Sequence, residues 1–246
     1  MAICNVTPDS FYAGSRLLSP SSPEPEADAV LHWAERALSE GASILDIGGC
    51  STRPGSVAAD AETEWRRVAP ALRALRKTFP EVRLSLDTFR AEIARRALSE
   101  YGPLIINDVS GGDEAMYRLV REEGVPYVWT LRGDLLLPSR EPKEGIDLIL
   151  DPGFGFTGGL ERDYACLRNL DALRRYGKPV LAGISRKSMV YKPFGLSPSD
   201  CLTETEALQL YALEHGATIL RTHDPAATAR IVRLYEMIEG DINIQA

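Results

Sequence analysis

The feature that most constrains this chain is an order of elements repeated from end to end. A short apolar, β-rich run is followed by a polar or glycine-bearing turn, then a helix-period stretch, then often a glycine and the next run. The apolar runs fall at 2–6, 44–47, 83–86, 104–106, 127–131, 148–150, 180–184 and 219–220. Between most of them apolar residues recur at helical spacing. Val30, Trp33, Ala34, Ala37 and Leu38 share one face, as do Trp65, Val68, Leu72, Leu75 and Phe79, and later Ile231, Val232, Tyr235 and Ile238. Pro70 is expected to kink or split the second of these helices. Gly41, Gly102, Gly124, Gly177 and Gly216 stand where helix C-terminal caps are expected.

Strands alternating with helices in this way predict an α/β chain, a (β/α)8 TIM barrel in a single domain over residues 1–246. A doubly wound open sheet is the rival, and nothing resembling GxGxxG follows the first run. One unit is defective. Residues 132–147, with Pro138 and Pro142 among them, are too few for a full helix and its two loops. The helix after the fifth strand is therefore expected to be shortened or missing, although a crossover of this length can still join parallel strands.

Lys and Arg number 28 against 35 Asp and Glu, a net charge of −7. That balance argues against nucleic acid or an anionic membrane as the main partner. No apolar run approaches the roughly 18–20 residues of a membrane span, and the first residues lack the features of a secretory signal. Cys4, Cys50, Cys166 and Cys201 form no CxxC pair, so they are read as reduced thiols of a cytoplasmic protein.

In a barrel of this kind chemistry sits at the C-terminal ends of the strands. Those positions hold Asn5, Ser51-Thr52-Arg53, Asp87, Asn107-Asp108, Thr130 with Arg132, Asp151, Ser185-Arg186-Lys187, and Arg221 with His223. Asp87, Asn107 and Asp151 form an acceptor group suited to a ligand rich in N–H donors, such as an aminopyrimidinone ring. Lys187, Arg221, His223 and Arg53, with the Asn5 amide, form a donor group suited to phosphate oxygens. A ligand with a polar heterocycle at one end and a phosphate at the other would satisfy both. Two decorated loops, 5–15 and 48–55, have the punctuation of loops that close over a substrate. Elsewhere the blander readings are preferred. His32 and His215 are helix residues, Trp129 is packing at the barrel mouth, Cys50 is an inert small residue, and 60–64 is a solvated helix start. Asp46, inside an apolar strand, is either a buried hydrogen-bonded carboxylate or part of the ligand site.

The segments NVTPDSF (5–11), DIGGCSTRPG (46–55), DTF (87–89), NDVSG (107–111), DPGFGF (151–156), SRKS (185–188) and RTHD (221–224) stand in order, one per strand end. Together they resemble the dihydropteroate synthase family, a set of pterin-binding TIM-barrel enzymes, over nearly the whole chain. The resemblance implies a transferase of folate biosynthesis. It would join 6-hydroxymethyl-7,8-dihydropterin diphosphate to 4-aminobenzoate and release diphosphate, with Mg2+ as cofactor. It implies that Asp87, Asn107, Asp151 and Lys187 hold the pterin, and that Arg221 and His223 meet the diphosphate, Arg221 also flanking the ring. Asn5 would help bind the metal. The loops carrying Asp9, Ser10 and Phe11 and Thr52, Arg53 and Pro54 would form the aminobenzoate site. Asp87, Lys187 and Arg221 are the candidate catalytic residues. Family members are commonly homodimers built on helices near the end of the chain.

The chain departs from the family pattern at four places. Trp129-Thr130 stand where Met-His is usual, and the helix after them is missing. Thr157-Gly158-Gly159 replace a usual Lys-Thr, Cys50 stands where Glu is common, and the chain begins inside the first strand. Two other readings use the same scaffold: a degenerate paralogue that binds a pterin without catalysing the condensation, and a methyltetrahydrofolate-type methyltransferase. The phosphate-side set Asn5, Arg53, Lys187, Arg221 and His223 speaks for catalysis, and the two loop motifs suit diphosphate and aminobenzoate rather than methyl transfer.

Overall fold

The computed structural model describes residues 1–7, 25–51, 58–131, 143–156 and 158–240. Eight parallel strands form in chain order: β1 (Ala2–Asn5), β2 (Ile44–Gly48), β3 (Arg83–Asp87), β4 (Ile105–Asp108), β5 (Tyr127–Thr130), β6 (Leu148–Asp151), β7 (Leu181–Ala182) and β8 (Ile219–Leu220). β1 to β6 make one sheet in sequential order and β7 pairs with β8. Single parallel bridges, Leu150↔Val180 and Ala2↔Thr222, join the two pieces at both edges, so the strands run round a ring. Every predicted strand is present, with ends shifted by a residue or two.

Helices α1 (Ala27–Ser39), α2 (Ala61–Thr78), α3 (Ala91–Tyr101) and α4 (Glu114–Glu123) follow β1 to β4. Later come α5 (Leu160–Arg168), the short α6 (Ser188–Tyr191), α7 (Leu202–Glu214) and α8 (Pro225–Glu239). α2 runs unbroken across Pro70, contrary to a split there. The buried face that includes Trp65, Val68, Ala69, Ala71, Leu72 and Leu75 holds the turn that lacks one backbone donor. Gly102 and Gly124 cap α3 and α4, whereas Gly41 and Gly216 stand one residue beyond the caps of α1 and α7. The expected loss of a helix between β5 and β6 falls on 132–142, outside the described residues.

Side-chain alternation sorts each strand into an outer and an inner face. The outer faces, with the helices, build the main apolar core. Inside the ring Met1, Ile44, Ile105, Val128, Ile149 and Leu181 form a separate apolar plug. Two residues further along each strand the interior turns polar: Asp46 lies opposite Ser85, Asp87 opposite Asn107, and Thr130 opposite Asp151. The plug closes one end of the barrel and leaves the polar tier at the other.

All four cysteines are buried, and none is in a disulfide. Among the described residues no helix is long and apolar enough to cross a membrane.

The turn after β4 is held from three sides. The Asp108 carboxylate accepts from Ser110 N at 2.8 Å and from Tyr127 Oη at 2.9 Å, and the Gly111 carbonyl accepts from Tyr117 Oη at 2.5 Å and Trp129 Nε1 at 3.0 Å. Gly112 sits beneath the two tyrosines at φ +76°, where an added Cβ would meet Tyr117 and Tyr127 at 2.5 Å each. Gly112→Ala should therefore destabilise the fold by about 2–4 kcal/mol through combined backbone strain and overpacking. Urea unfolding reads this, and a loss below about 0.5 kcal/mol would show that the rings yield freely.

Candidate active site

The polar tier opens into a cavity whose wall includes Asn5, Asp87, Ser185, Lys187, Arg221 and His223. These come from four strand ends, those of β1, β3, β7 and β8, brought together because each strand stops at the same rim. Arg221, at the end of β8, reaches across the interior. Its Nε donates to Asp46 Oδ2 at 2.7 Å and its Nη2 to Asp87 Oδ2 at 2.7 Å. Asn107 Nδ2 donates to the same Asp46 oxygen at 3.1 Å. Asp46 is fully buried, and its Oδ2 accepts from both Arg221 and Asn107. The other oxygens, Asp46 Oδ1 and Asp87 Oδ1, are buried and have no partner among the described residues. Such acceptors are costly to leave unmet, which suits a site completed by a donor-rich ligand.

The expected separation of acceptor and donor groups does not hold. Arg221 is already engaged with the acceptor side, because the ring brings β8 next to β1 and within a guanidinium's reach of β2 and β3. Lys187 Nζ donates to the Phe154 carbonyl and lies 4.9 Å from the centre of the Phe156 ring. Gly183 lies beside it, where a Cβ would be in ordinary contact with Lys187 Nζ at 3.6 Å. His223 shares a 3.3 Å hydrogen bond with Ser185 Oγ through Nδ1.

Electrostatics follow from burial. Asp87 is pushed up to about 7 by burial, against the pull of Arg221. Lys187 is brought down to about 8 by burial, opposed by Asp151. His223 falls to about 3, through burial and then the Arg221 charge. Held that low, His223 is a neutral imidazole near pH 7, able to donate or accept a hydrogen bond.

Asp151 Oδ1 accepts from Gly153 N at 2.9 Å and Oδ2 from Thr130 Oγ1 at 3.1 Å. Asn5, Asp87, Asn107, Asp151, Lys187, Arg221 and His223 thus converge as strand ends should. Asp9, Ser10, Phe11, Thr52, Arg53 and Pro54 lie outside the described residues. The ends of the segment that carries the last three are held by arginines: Arg67 Nη1 donates to Gly49 O at 3.0 Å, and Arg90 donates to the Ala59 carbonyl. Arg90 also pairs with Glu64, which is wholly buried, so 60–64 is not simply a solvated helix start. Asp60 does cap α2, accepting from Thr63 N at 2.8 Å. Trp129 packs as expected, and Cys50 is a buried thiol.

Arg186 was not singled out from sequence, and it braces the site. It is 5% exposed and its backbone is left-handed at φ 56°. Nε and Nη2 each donate to Asp224 at 2.8 Å, and Nη1 donates to Ser199 O at 3.0 Å. The loops after β7 and β8 are tied together so that Lys187 and His223 share one rim. The signal was available as an arginine between two candidate residues in SRKS, facing the aspartate of RTHD.

With the geometry described, comparison with other proteins places the chain. The profile of a family described as pterin binding enzyme matches residues 1–133 and 142–223. The dihydropteroate synthase of Escherichia coli (strain K12) is 34% identical over 262 residues, covering 96% of this chain and 90% of that protein. The folic acid synthesis protein fol1 of Pneumocystis carinii is 34% identical over 275 residues, and the chain spans 36% of its length and 98% of its own. A solved dihydropteroate synthase of Xanthomonas albilineans with 4-aminobenzoic acid superposes with a TM-score of 0.81 at 34% identity, over 97% of this chain and 92% of that one.

Removing one member of a buried ion pair strands the other, at about 3–5 kcal/mol. Arg186→Met should lose that much in urea unfolding, and Arg186→Lys should recover only part because it cannot bind Asp224 through two nitrogens. A loss below about 1 kcal/mol in Arg186→Met would remove its bracing role.

Proposed function

The chain belongs to the dihydropteroate synthase family of pterin-binding enzymes, and from that membership we propose how its own residues divide the work. The reaction joins 6-hydroxymethyl-7,8-dihydropterin diphosphate to 4-aminobenzoate. The observation that carries the reading is the pair of unpartnered acceptors, Asp46 Oδ1 and Asp87 Oδ1, beside the Arg221 guanidinium. An aminopyrimidinone ring supplies the N–H donors these oxygens lack.

Asp87, Asn107, Asp151 and Lys187 hold the pterin, while Arg221 and His223 meet the diphosphate, His223 as a neutral hydrogen-bonding group. The C–O bond breaks with its electrons leaving on diphosphate, and positive charge develops on the pterin methylene carbon. Asp87 beside the ring stabilises that charge, and Arg221 stabilises the departing oxygens. The aminobenzoate nitrogen then bonds to the carbon and its proton passes to solvent. Positioning does most of this work, so no strong general base is required. The segments carrying Asp9, Ser10 and Phe11 and Thr52, Arg53 and Pro54 form the aminobenzoate side.

Mg2+ fits this donor set only as an ion brought by the diphosphate. Among the described residues no three His, Cys, Asp or Glu side chains gather to hold a metal, and Asn5 lines the cavity with one amide oxygen. Mg2+ commonly keeps waters and phosphate oxygens alongside one or two protein ligands. Asn5 would hold it, and the ion would neutralise charge on the leaving group. The free buried thiols support a cytoplasmic setting. Leu234 and Ile238, exposed on α8, support a homodimer through that helix.

Turnover of purified protein with both substrates tests this directly. Dihydropteroate should form only with Mg2+ present, and Asp151→Ala should abolish pterin binding. Saturable pterin binding without product would instead identify a binder that has lost the condensation. The pH profile of kcat/KM is a second test. Asp87 accepts ring N–H groups as a carboxylate, so activity should rise with pH through about 7. It should fall above about 8 as Lys187 loses its proton. Asp87→Asn should lose the acidic limb; a profile flat from about pH 6 to 9 would remove both assignments.

A further inference from the structure

Three carboxyl groups line the pterin side, and two of them are held by a cation. Asp46 and Asp87 are both engaged by Arg221. Asp151 is different. Among the described residues its hydrogen-bond donors are the Gly153 amide on Oδ1 and the Thr130 hydroxyl on Oδ2. The Gly153 contact is local, two residues along the same turn. The Thr130 contact comes from the neighbouring strand and fixes the group against the barrel wall.

The register sets the two side chains opposite each other. Thr130 and Asp151 are paired positions of β5 and β6, and Leu131 N donates to the Asp151 carbonyl at 2.7 Å. Val128 lies in the apolar plug inside the ring, so the alternation of β5 turns Thr130 to the interior as well. Thr130 is 1% exposed and Asp151 6%. A buried β-branched side chain has little rotamer freedom, so its hydroxyl is held in place.

We propose that Thr130 is a positioning residue for pterin binding, aiming the Asp151 carboxylate at the ring through a hydrogen bond from an uncharged hydroxyl. The inference rests on the reading above, in which Asp151 receives the pterin. A neutral donor can orient a carboxylate without cancelling its charge, whereas an arginine or protonated histidine at the same place would do both. Threonine stands at the position where the family resemblance leads one to expect histidine. The Thr130 hydroxyl thus orients Asp151 without placing a further charge against it.

The test compares wild type, Thr130→Val, Thr130→Ser and Asp151→Ala, by calorimetric titration with a dihydropterin lacking the diphosphate and by steady-state kinetics. Thr130→Val keeps the shape and removes the donor. It should weaken pterin binding about tenfold, the scale of one hydrogen bond to a charged group. The KM for the pterin substrate should rise in step, while the KM for 4-aminobenzoate stays put. Thr130→Ser should restore most of the affinity. A purely structural role would lower the unfolding midpoint without this split between the two KM values. Should Thr130→Val fail to fold, Thr130→Ala replaces it under the same expectations.

The outcomes separate the two claims. If wild type binds no pterin, or Asp151→Ala binds it as well as wild type, the reading of Asp151 falls. If Asp151→Ala abolishes binding while the Thr130 variants bind like wild type, the reading stands and the role of Thr130 is overturned.

Discussion

A single guanidinium crosses the polar end of this barrel. Arg221 leaves β8 and engages Asp46 of β2 and Asp87 of β3, each at 2.7 Å. Three ionisable groups in a space closed to water on most sides must satisfy one another, because each alone would carry a desolvation cost of several kcal/mol. The count is two carboxyl groups to one guanidinium, and burial pushes Asp87 up toward neutrality. The polar tier is stable enough to persist and too acceptor-rich to be complete. That excess is what makes the interior a site and more than a core, and it sits where the apolar plug at the other end allows the ring to open.

The same tier explains the division between what a reader of the sequence could foresee and what needed coordinates. Strands were visible because each is a short apolar run with a polar residue at its end, and a barrel places all such ends on one rim. The gathering of Asp87, Asn107, Asp151, Lys187, Arg221 and His223 at one end of the barrel is therefore legible from position. Their mutual contacts are not, since Arg221 and Asp46 are 175 residues apart and only ring closure brings them together. Asp46 was ambiguous for a related reason: one charge inside an apolar run fits a paired core residue or a ligand group until its partner is known. Glu64 looked solvated because it lies in an acidic helix start, and the arginine that buries it comes from the loop after β3. Local signals fix elements; charge pairing across them depends on topology.

Charge state shows the same dependence on surroundings. A histidine after a strand beside arginine and lysine invites assignment as a cation, yet those neighbours and burial hold His223 neutral, down at about 3. The cations crowding it make a further positive charge unfavourable, so the role left to it is hydrogen bonding. Arg186, in contrast, is matched by Asp224 through two hydrogen bonds, and its left-handed backbone is tolerated because so many contacts determine it. Both residues flank the rim in similar motifs, and only the partner distinguishes a brace from a ligand group.

At the strand-five departure, Trp129-Thr130, the two residues meet separate demands. Adjacent residues of a strand face opposite sides, so the pair is two separate substitutions and not one. Trp129 points outward, is buried among the helices, and donates to the Gly111 carbonyl that Tyr117 also reaches. It anchors the turn after β4 and stays out of the interior. Thr130 points inward and meets Asp151, so the interior position keeps a hydrogen-bond donor of smaller size and no charge. Each face is satisfied by its own residue, one by volume and an indole N–H, the other by a hydroxyl. Both contacts stand apart from the Arg221 network, which is anchored on β2 and β3 across the ring.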